Sequence, residues 1–479
     1  MPLTRATVLF VLIAAVAPDI TPAQTPRARP NILLVIADDW SYPHAGAYAD
    51  RTVSTPAFDR VAREGALFDR AFTVAPSCTP SRAALLTGQA AHRLAEGGNL
   101  WGHLPEQYAV YPDLLERAGY AVGHTGKGWG PGRFEPGGRS RNPAGPRFDS
   151  FEAFLAARRD GQPFAFWFGS TDPHRPYDEG SGEKAGLRAA SVRVPPFLPD
   201  VPVVRGDLLD YYAEVQRFDQ QLAGLLDTLE RRGELDNTLL VVTSDNGMPF
   251  PRAKATLYDP GTRIPLAIRW PQAIAAGAKL DAFVSHQDLA PTFLQAAGVT
   301  IPADVTGRSL LPLFQKNATS EGRDRVFLER ERHANVRRGD ASYPARAIRT
   351  ADFLYIRNYR PDRWPAGDPE RHFAVGPFGD IDGGPTKSLL LERRSDTTIS
   401  RFFELATAKR PAEELYDLRK DPDQLTNVAA DPAYAKAFGE LRSDLAAWQR
   451  STADPRATAD DDPWDKYPYY GQPVKRDGR

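Results

Sequence analysis

Among 479 residues there is a single cysteine, and its neighbours are unusual for an apolar filler. Cys78-Thr79-Pro80-Ser81-Arg82 runs on into Ala83-Ala84-Leu85-Leu86-Thr87-Gly88. Pro80 suits the first turn of a helix. Cys78 then sits at a helix N-terminus, where unpaired N–H groups and the dipole favour an anion. Arg82 lies one turn along and can hold an oxygen on the residue-78 side chain. A sulfate or phosphate group fits there. Asp38-Asp39 and Asp245-Asn246 offer three carboxylates and an amide. Converging at one rim, they make a hard-oxygen site suited to Ca²⁺ or Mg²⁺. No His/Cys cluster at zinc spacing occurs. Lys127 in TGKGWG and Lys254 in NGMPFPRAKATLYDPGT can stabilise charge on a transferring group, or are ordinary solvated lysines.

These side chains need elements that bring them together. Asn31 to Ala37 (NILLVIA), Phe164 to Gly169 (FAFWFG) and Thr238 to Ser244 (TLLVVTS) are continuous apolar runs, as expected of strands buried on both faces. Tyr120 to His124 and Ile264 to Trp270 read as further strands. Helices are expected at Pro56 (capped by Thr55, stopped by Gly65), Val110 to Gly119, Asp207 to Arg232 and Asp288 to Ala297. Alternating strands and helices imply an α/β fold, a mostly parallel sheet covered by helices on both faces, with its active site beyond the strands' carboxyl ends. Four strands do end in polar clusters: Asp38-Asp39, Thr125-Gly126-Lys127, Thr171-Asp172-Pro173-His174-Arg175 and Asp245-Asn246-Gly247. Beyond about residue 335 a hairpin at Ala347 to Arg357, a strand at Glu414 to Leu418 and a helix at Pro432 to Arg450 suggest a smaller α+β subdomain. The expected layout is a signal peptide over 1–23, a catalytic domain over 24–335, the subdomain over 336–452 and a loosely docked tail over 453–479.

The 60 basic and 61 acidic residues give a net charge of −1, which argues against a nucleic-acid binder. Arg5, the apolar run Thr7 to Ala17 and Thr21-Pro22-Ala23 read as a cleaved signal peptide, so a periplasmic or secreted location is expected. No later stretch is long and apolar enough to span a membrane. One cysteine permits no intramolecular disulfide.

C-x-P-S-R followed after a short spacer by T-G resembles the signature of the type I, formylglycine-dependent sulfatases, and the resemblance runs over almost the whole mature chain. It implies an alkaline-phosphatase-like fold. It implies that a formylglycine-generating enzyme oxidises Cys78, and that Asp38, Asp39, Asp245 and Asn246 bind calcium, which also contacts residue 78. Lys127 and Lys254 would clamp the sulfate. A hydroxyl of hydrated formylglycine would attack sulfur and expel the substrate alcohol or amine; the second hydroxyl would then lose its proton as sulfate leaves. Two family histidines are missing: the K-x-H position is Trp129, and the first histidine of H-D-P-H is Thr171. His174 is then the foremost proton donor to the leaving group, with His103 and His124 as further candidates; each can equally be a hydrogen-bonded structural histidine. The compact DNGMPFP segment with LYDPGT, and Thr306 to Pro312 (TGRSLLP), resemble the heparan N-sulfatase (sulfamidase) branch. The expected substrate is a sulfated carbohydrate, N- or O-sulfated. Asn99, Trp101 and His103 in GGNLWGH are candidate sugar contacts, and Arg175 and Arg263 candidate contacts to further anionic groups. A phosphonate or phosphodiester hydrolase of the same superfamily, or a non-catalytic glycan-binding relative, remain as alternatives.

Overall fold

The computed structural model describes residues 29–315, 320–370 and 376–471. The expected signal peptide over 1–23 lies outside the described residues. Among the described residues, thirteen strands form three sheets. In chain order they are β1 (Asn31–Ala37), β2 (Ala66–Phe68), β3 (Ala71–Phe72), β4 (Ala121–Gly126), β5 (Phe164–Gly169), β6 (Thr238–Ser244), β7 (Leu266–Arg269), β8 (Ala278–Leu280), β9 (Val284–Ser285), β10 (Arg325–Arg330), β11 (Ala345–Thr350), β12 (Phe353–Asn358) and β13 (Glu413–Asp417).

The large sheet has the order β4-β5-β1-β6-β7-β2-β8. Its first four strands are mutually parallel, and β7 runs against both β6 and β2. The apolar run NILLVIA is central because it has no polar face to offer water. All seven of its residues are buried. Leu33 and Val35 join one core with Phe58, Phe218 and Leu222, while Ile32, Leu34 and Ile36 join the other with Leu85, Leu115 and Phe293. That split is the period-2 alternation of a strand. Helices Pro56–Glu64 and Pro202–Arg231 therefore cover one face. Helices Cys78–Thr87, Tyr111–Arg117 and Leu289–Ala296 cover the other.

β1, β5 and β6 have the expected limits. β4 runs on to Gly126, because its pairing with β5 continues to Gly126 opposite Gly169. The long helix starts at Pro202, before the expected Asp207. Pro202 takes the first helical position and Val204 adds another buried residue to the stripe.

The four-stranded sheet is antiparallel, β10-β11-β12-β13. β10 comes from residues ahead of 335, so the small sheet begins before the expected boundary. Val326 and Leu328 of β10 bury against Leu354, Ile356 and Tyr416, which fixes that strand here. The expected loose docking of the C-terminal tail does not hold over its described part, 453–471. Asp454 pairs with Arg346 at 2.8 Å, Arg456 with Glu331 at 2.7 Å, and Trp464 is buried.

Candidate active site

Register at the carboxyl ends of the parallel strands creates the site. Ala37 lies opposite Ser244, so Asp38-Asp39 and Asp245-Asn246 leave the sheet side by side. The Asp245 amide donates to Ala37 O at 3.1 Å, and the Asp39 amide donates to Asp245 Oδ1 at 3.0 Å. Asp39 has a φ of 76°, a left-handed conformation that a non-glycine residue rarely takes. Asn246 Nδ2 donates to Asp39 Oδ1 at 2.7 Å and fixes that turn. Cys78 begins its helix behind the extended residue Ser77. Its Sγ lies 3.6 Å from Asp38 Oδ1. Ligand atoms of Asp38, Asp39, Cys78 and Asp245 lie within 4.8 Å of one another, all buried.

Three cations hold these carboxylates. Arg82 donates through Nε to Asp245 Oδ2 at 2.9 Å and through Nη1 to the carbonyls of Lys127 and Gly128. Lys127 Nζ reaches Asp38 Oδ2 at 2.6 Å. Lys254 Nζ reaches Asp39 Oδ2 at 2.7 Å and Asp382 Oδ2 at 3.0 Å. Burial alone would raise the Asp38 carboxyl, but Lys127, His174 and Arg82 hold it far below the usual range. Burial outweighs Lys254 at Asp39 and pushes that carboxyl up to about 6, with Asp38 and Asp245 adding repulsion. Burial also pushes the Cys78 thiol well above its usual range. A thiolate is therefore disfavoured, and unmodified Cys78 is a poor nucleophile.

The cluster opens into a cavity of about 1140 Å³ lined by Asp38, Cys78, Lys127, His174 and Lys254, among others. Its geometry fits a hard cation. The Asn246 Oδ1 is buried with no hydrogen-bond partner, although an orphaned amide oxygen is costly. A cation among Asp38, Asp39, Asp245 and Asn246 would satisfy it.

The sulfatase family profile matches residues 30–132 and 146–299. A profile described as N-sulphoglucosamine sulphohydrolase, C-terminal, matches residues 252–371. The human N-sulphoglucosamine sulphohydrolase is 31% identical over 91% of this chain and 93% of its own. This chain belongs to the sulfatase family. Another relative of this sulfatase is an ulvan-active sulfatase of Formosa agariphila, 28% identical over 89% of this chain and 76% of its own. Its fold is shared with a solved structure in complex with its substrate D-glucosamine-2-N,6-O-disulfate, with a TM-score of 0.64 at 22% identity, covering 91% of this chain and all of that one. The phosphonate monoester hydrolase of Agrobacterium radiobacter also shares the fold, with a TM-score of 0.61 at 20% identity, covering 88% and 96%.

The remaining expected site residues of this sulfatase fall into distinct positions. His174 lies 3.8 Å from Asp39 and lines the cavity. Trp101 lines it too. Asn99 is fully buried, with Nδ2 donating to Trp464 O and Oδ1 accepting from the Arg332 amide, so its amide is spent inside the protein. Arg175 lines the cavity, but its guanidinium is bidentate to Asp207 at 2.8 Å and its Nε donates to Pro249 O. It stiffens the wall from within. His103 is turned toward Glu96, 3.7 Å away, and lies outside the cavity lining. His124 lines the cavity with Nδ1 bonded to Gly145 O, and burial depresses its pKa. Arg263 is occupied by Asp69 O and the Tyr42 ring.

Trp129, at the family's histidine position, lines the cavity with its indole nitrogen buried and unpartnered. Thr171 is exposed at the cavity wall. Two lining residues escaped the sequence reading. His333 follows β10 and bonds Ser77 Oγ through Nδ1 at 2.8 Å; burial lowers its pKa to about 4. Asp382 joins Lys254, Asp39 and His174. Neither lies in a motif. His333 is brought to the site by the segment that follows β10, and Asp382 by the loop ahead of the helix Pro385–Glu392.

Proposed function

We propose that this sulfatase hydrolyses a sulfate ester or sulfamate on a sulfated sugar, with residue 78 in the formylglycine form and calcium held by Asp38, Asp39, Asp245 and Asn246. The observation that carries the reading is the convergence of the buried carboxylates and Cys78 within 4.8 Å at a cavity whose lining includes Lys127 and Lys254. Calcium would neutralise negative charge on the transferring sulfate and polarise an oxygen of residue 78. Formylglycine would supply a hydroxyl nucleophile that a protonated, buried thiol cannot. Lys127 and Lys254 point their ammonium groups at the same cluster, where they can hold sulfate oxygens and stabilise charge on them. Arg82 fixes Asp245 and the backbone around Lys127. His174 would give a proton to the departing oxygen or nitrogen, a role supported by its position 3.8 Å from Asp39 at the cavity wall.

The likeness to the human sulfamidase supports an N-sulfated glucosamine first. An O-sulfated sugar is the second reading, favoured by relatives such as the N-acetylglucosamine-6-O-sulfatase of Bacteroides thetaiotaomicron, 25% identical over 90% of this chain. Export through the segment 1–23, and maturation by a formylglycine-generating enzyme, belong to the same reading. The test is to co-express the chain with that enzyme, weigh the peptide carrying residue 78, and assay the sample with calcium. Sulfate release from N-sulfoglucosamine or from glucosamine 6-O-sulfate is expected, with Cys78→Ala inactive. Residue 78 remaining a thiol, or an aldehyde-bearing protein that releases sulfate from no sugar, would refute it.

A further inference from the structure

We propose that Trp101 and Tyr469 form an aromatic subsite that packs against a pyranose ring of the substrate, so that the C-terminal segment selects the sugar together with the catalytic lobe. This rests on the sulfated-sugar reading above.

The cavity that contains Cys78 also has Trp101 and Tyr469 in its lining. At about 1140 Å³ it exceeds the ~300–1,000 Å³ of ordinary small-molecule sites, so it has room well beyond one sulfate group. The two rings lie 6.4 Å apart at 58°. They form a corner and do not consume each other's faces in a stack. Arg332 lies over Tyr469 at 5.8 Å from the centroid, and Gly471 packs against the same ring, so Tyr469 is held in place while still lining the cavity. Both residues are half-buried. The Tyr469 hydroxyl meets no hydrogen-bond partner among the described residues. An apolar ring face with a polar tip suits a sugar, whose C–H faces are apolar and whose edges carry hydroxyls.

The corner is built and braced. Trp101 has a φ of 57°, a left-handed conformation that needs support from its surroundings. The support comes from the C-terminal segment: the Tyr470 amide donates to Trp101 O at 2.8 Å. Arg332 Nη2 donates to the Tyr467 and Pro468 carbonyls. Asn99 joins the Trp101 loop to Trp464 O at 3.0 Å. Trp464 packs so closely under Gly98 that a Cβ there would meet its indole nitrogen at 2.9 Å. One ring from near the nucleophile and one from 368 positions later are thus held in one geometry.

The experiment compares kcat/KM on two substrates, 4-nitrophenyl sulfate and the sulfated sugar that the wild type turns over, N-sulfoglucosamine being tried first. For Tyr469→Ala, the ratio of sugar to aryl sulfate kcat/KM is expected to fall about tenfold, mainly through KM for the sugar. Tyr469→Phe keeps the ring and should keep most of that ratio. If Tyr469→Ala lowers the melting temperature, Tyr469→Leu preserves apolar bulk without the ring and should lose the ratio equally. An unchanged ratio in both truncated variants overturns the proposal. So does an equal fall on both substrates, which would make Tyr469 a strut for the catalytic lobe. A wild type that cleaves the aryl sulfate and no sugar defeats the sugar reading itself, and this inference with it; that failure is seen without any variant.

Discussion

Arg82 is fully buried, and its guanidinium is divided between Asp245 Oδ2 and the carbonyls of Lys127 and Gly128. Its Nη2 has no hydrogen-bond partner and lies 3.6 Å from Asp38. A lysine would keep the charge but has one nitrogen on a flexible stem, so it cannot span a carboxylate and two carbonyls in different directions. Arg82→Lys should therefore leave either Asp245 or the carbonyls unsatisfied. The expected loss is about 3 kcal/mol of stability, read from the urea midpoint, with kcat/KM falling more than about tenfold as Lys127 loses its fixed backbone. An unchanged midpoint would mean that the three contacts carry little. At this scale the sequence was readable where chemistry is local. Cys78 and Arg82 sit one helical turn apart, and the two acidic pairs stand directly at strand ends. His333 and Asp382 had no such signal, since a lone histidine and one aspartate in a polar loop resemble any surface residue until distant chain segments fold together. The sugar-contact reading of Asn99 failed for a related reason. An amide near a nucleophile is informative only when its partners are known, and here they are Trp464 and Arg332.

Two glycines show what the strand ends demand. Gly126 and Gly169 are register partners at the ends of β4 and β5. A Cβ at Gly169 would stand 1.8 Å from Lys127 O, and one at Gly126 would stand 2.0 Å from Gly169 O. Both clashes are with backbone, so neither is relieved by a rotamer change. The crowding has a use: Lys127 O accepts from both Arg82 and Trp167, and its position sets where Lys127 leaves the sheet. Gly169→Ala should push Lys127 away from Asp38. The expected outcome is a fall in kcat/KM of more than about tenfold, with a loss of about 1–3 kcal/mol in urea unfolding. Wild-type kinetics in this variant would show that Lys127 tolerates displacement. Elements buried on both faces were the most legible part of the fold, because NILLVIA, FAFWFG and TLLVVTS admit no amphipathic reading. β10 was missed. Its residues RVFLER mix charge with apolar side chains, and their burial depends on β11 beside them. The C-terminal segment was misread for the same reason. Its aspartates look solvated in sequence, yet Asp454 and Asp462 are partners for Arg346, Arg456, Arg360 and Arg363.

Among the described residues, most buried charges have partners of opposite sign, as in Arg346 with Glu331 and Asp454, or Asp380 with Arg330 and Arg337. His286 and His333 are different, because burial pushes their pKa values far below the ordinary histidine value. His286 bonds Ser81 Oγ through Nδ1 at 3.0 Å, while its Nε2 is buried without a partner. Burial, with Arg82 nearby, lowers its pKa from 6.5 to about 3. His333 is lowered to about 4 by burial, with Lys254 and Arg330 adding to the fall and Asp380 and Asp382 opposing it. Between those values and 6.5 the unfolded chain binds protons that the native state refuses. Stability then rises with pH and is lost as pH falls below 6.5, by up to about 1.4 kcal/mol per unit for each histidine. Asp219 works the other way. Burial raises it to about 6, so over roughly pH 4 to 6 the native state holds a proton that the unfolded chain has released, and stability falls as pH rises. The net profile mixes these effects, and only a difference between variants isolates one of them. His286→Gln keeps a polar group in the same space and removes the titration. Measured by urea unfolding at pH 7 and pH 5, the wild type should lose about 2 kcal/mol more than the variant on acidification. Equal losses would mean that His286 takes up its proton in the native state as readily as in the unfolded one, and that the contact beneath the Cys78 helix can accommodate an imidazolium beside Arg82.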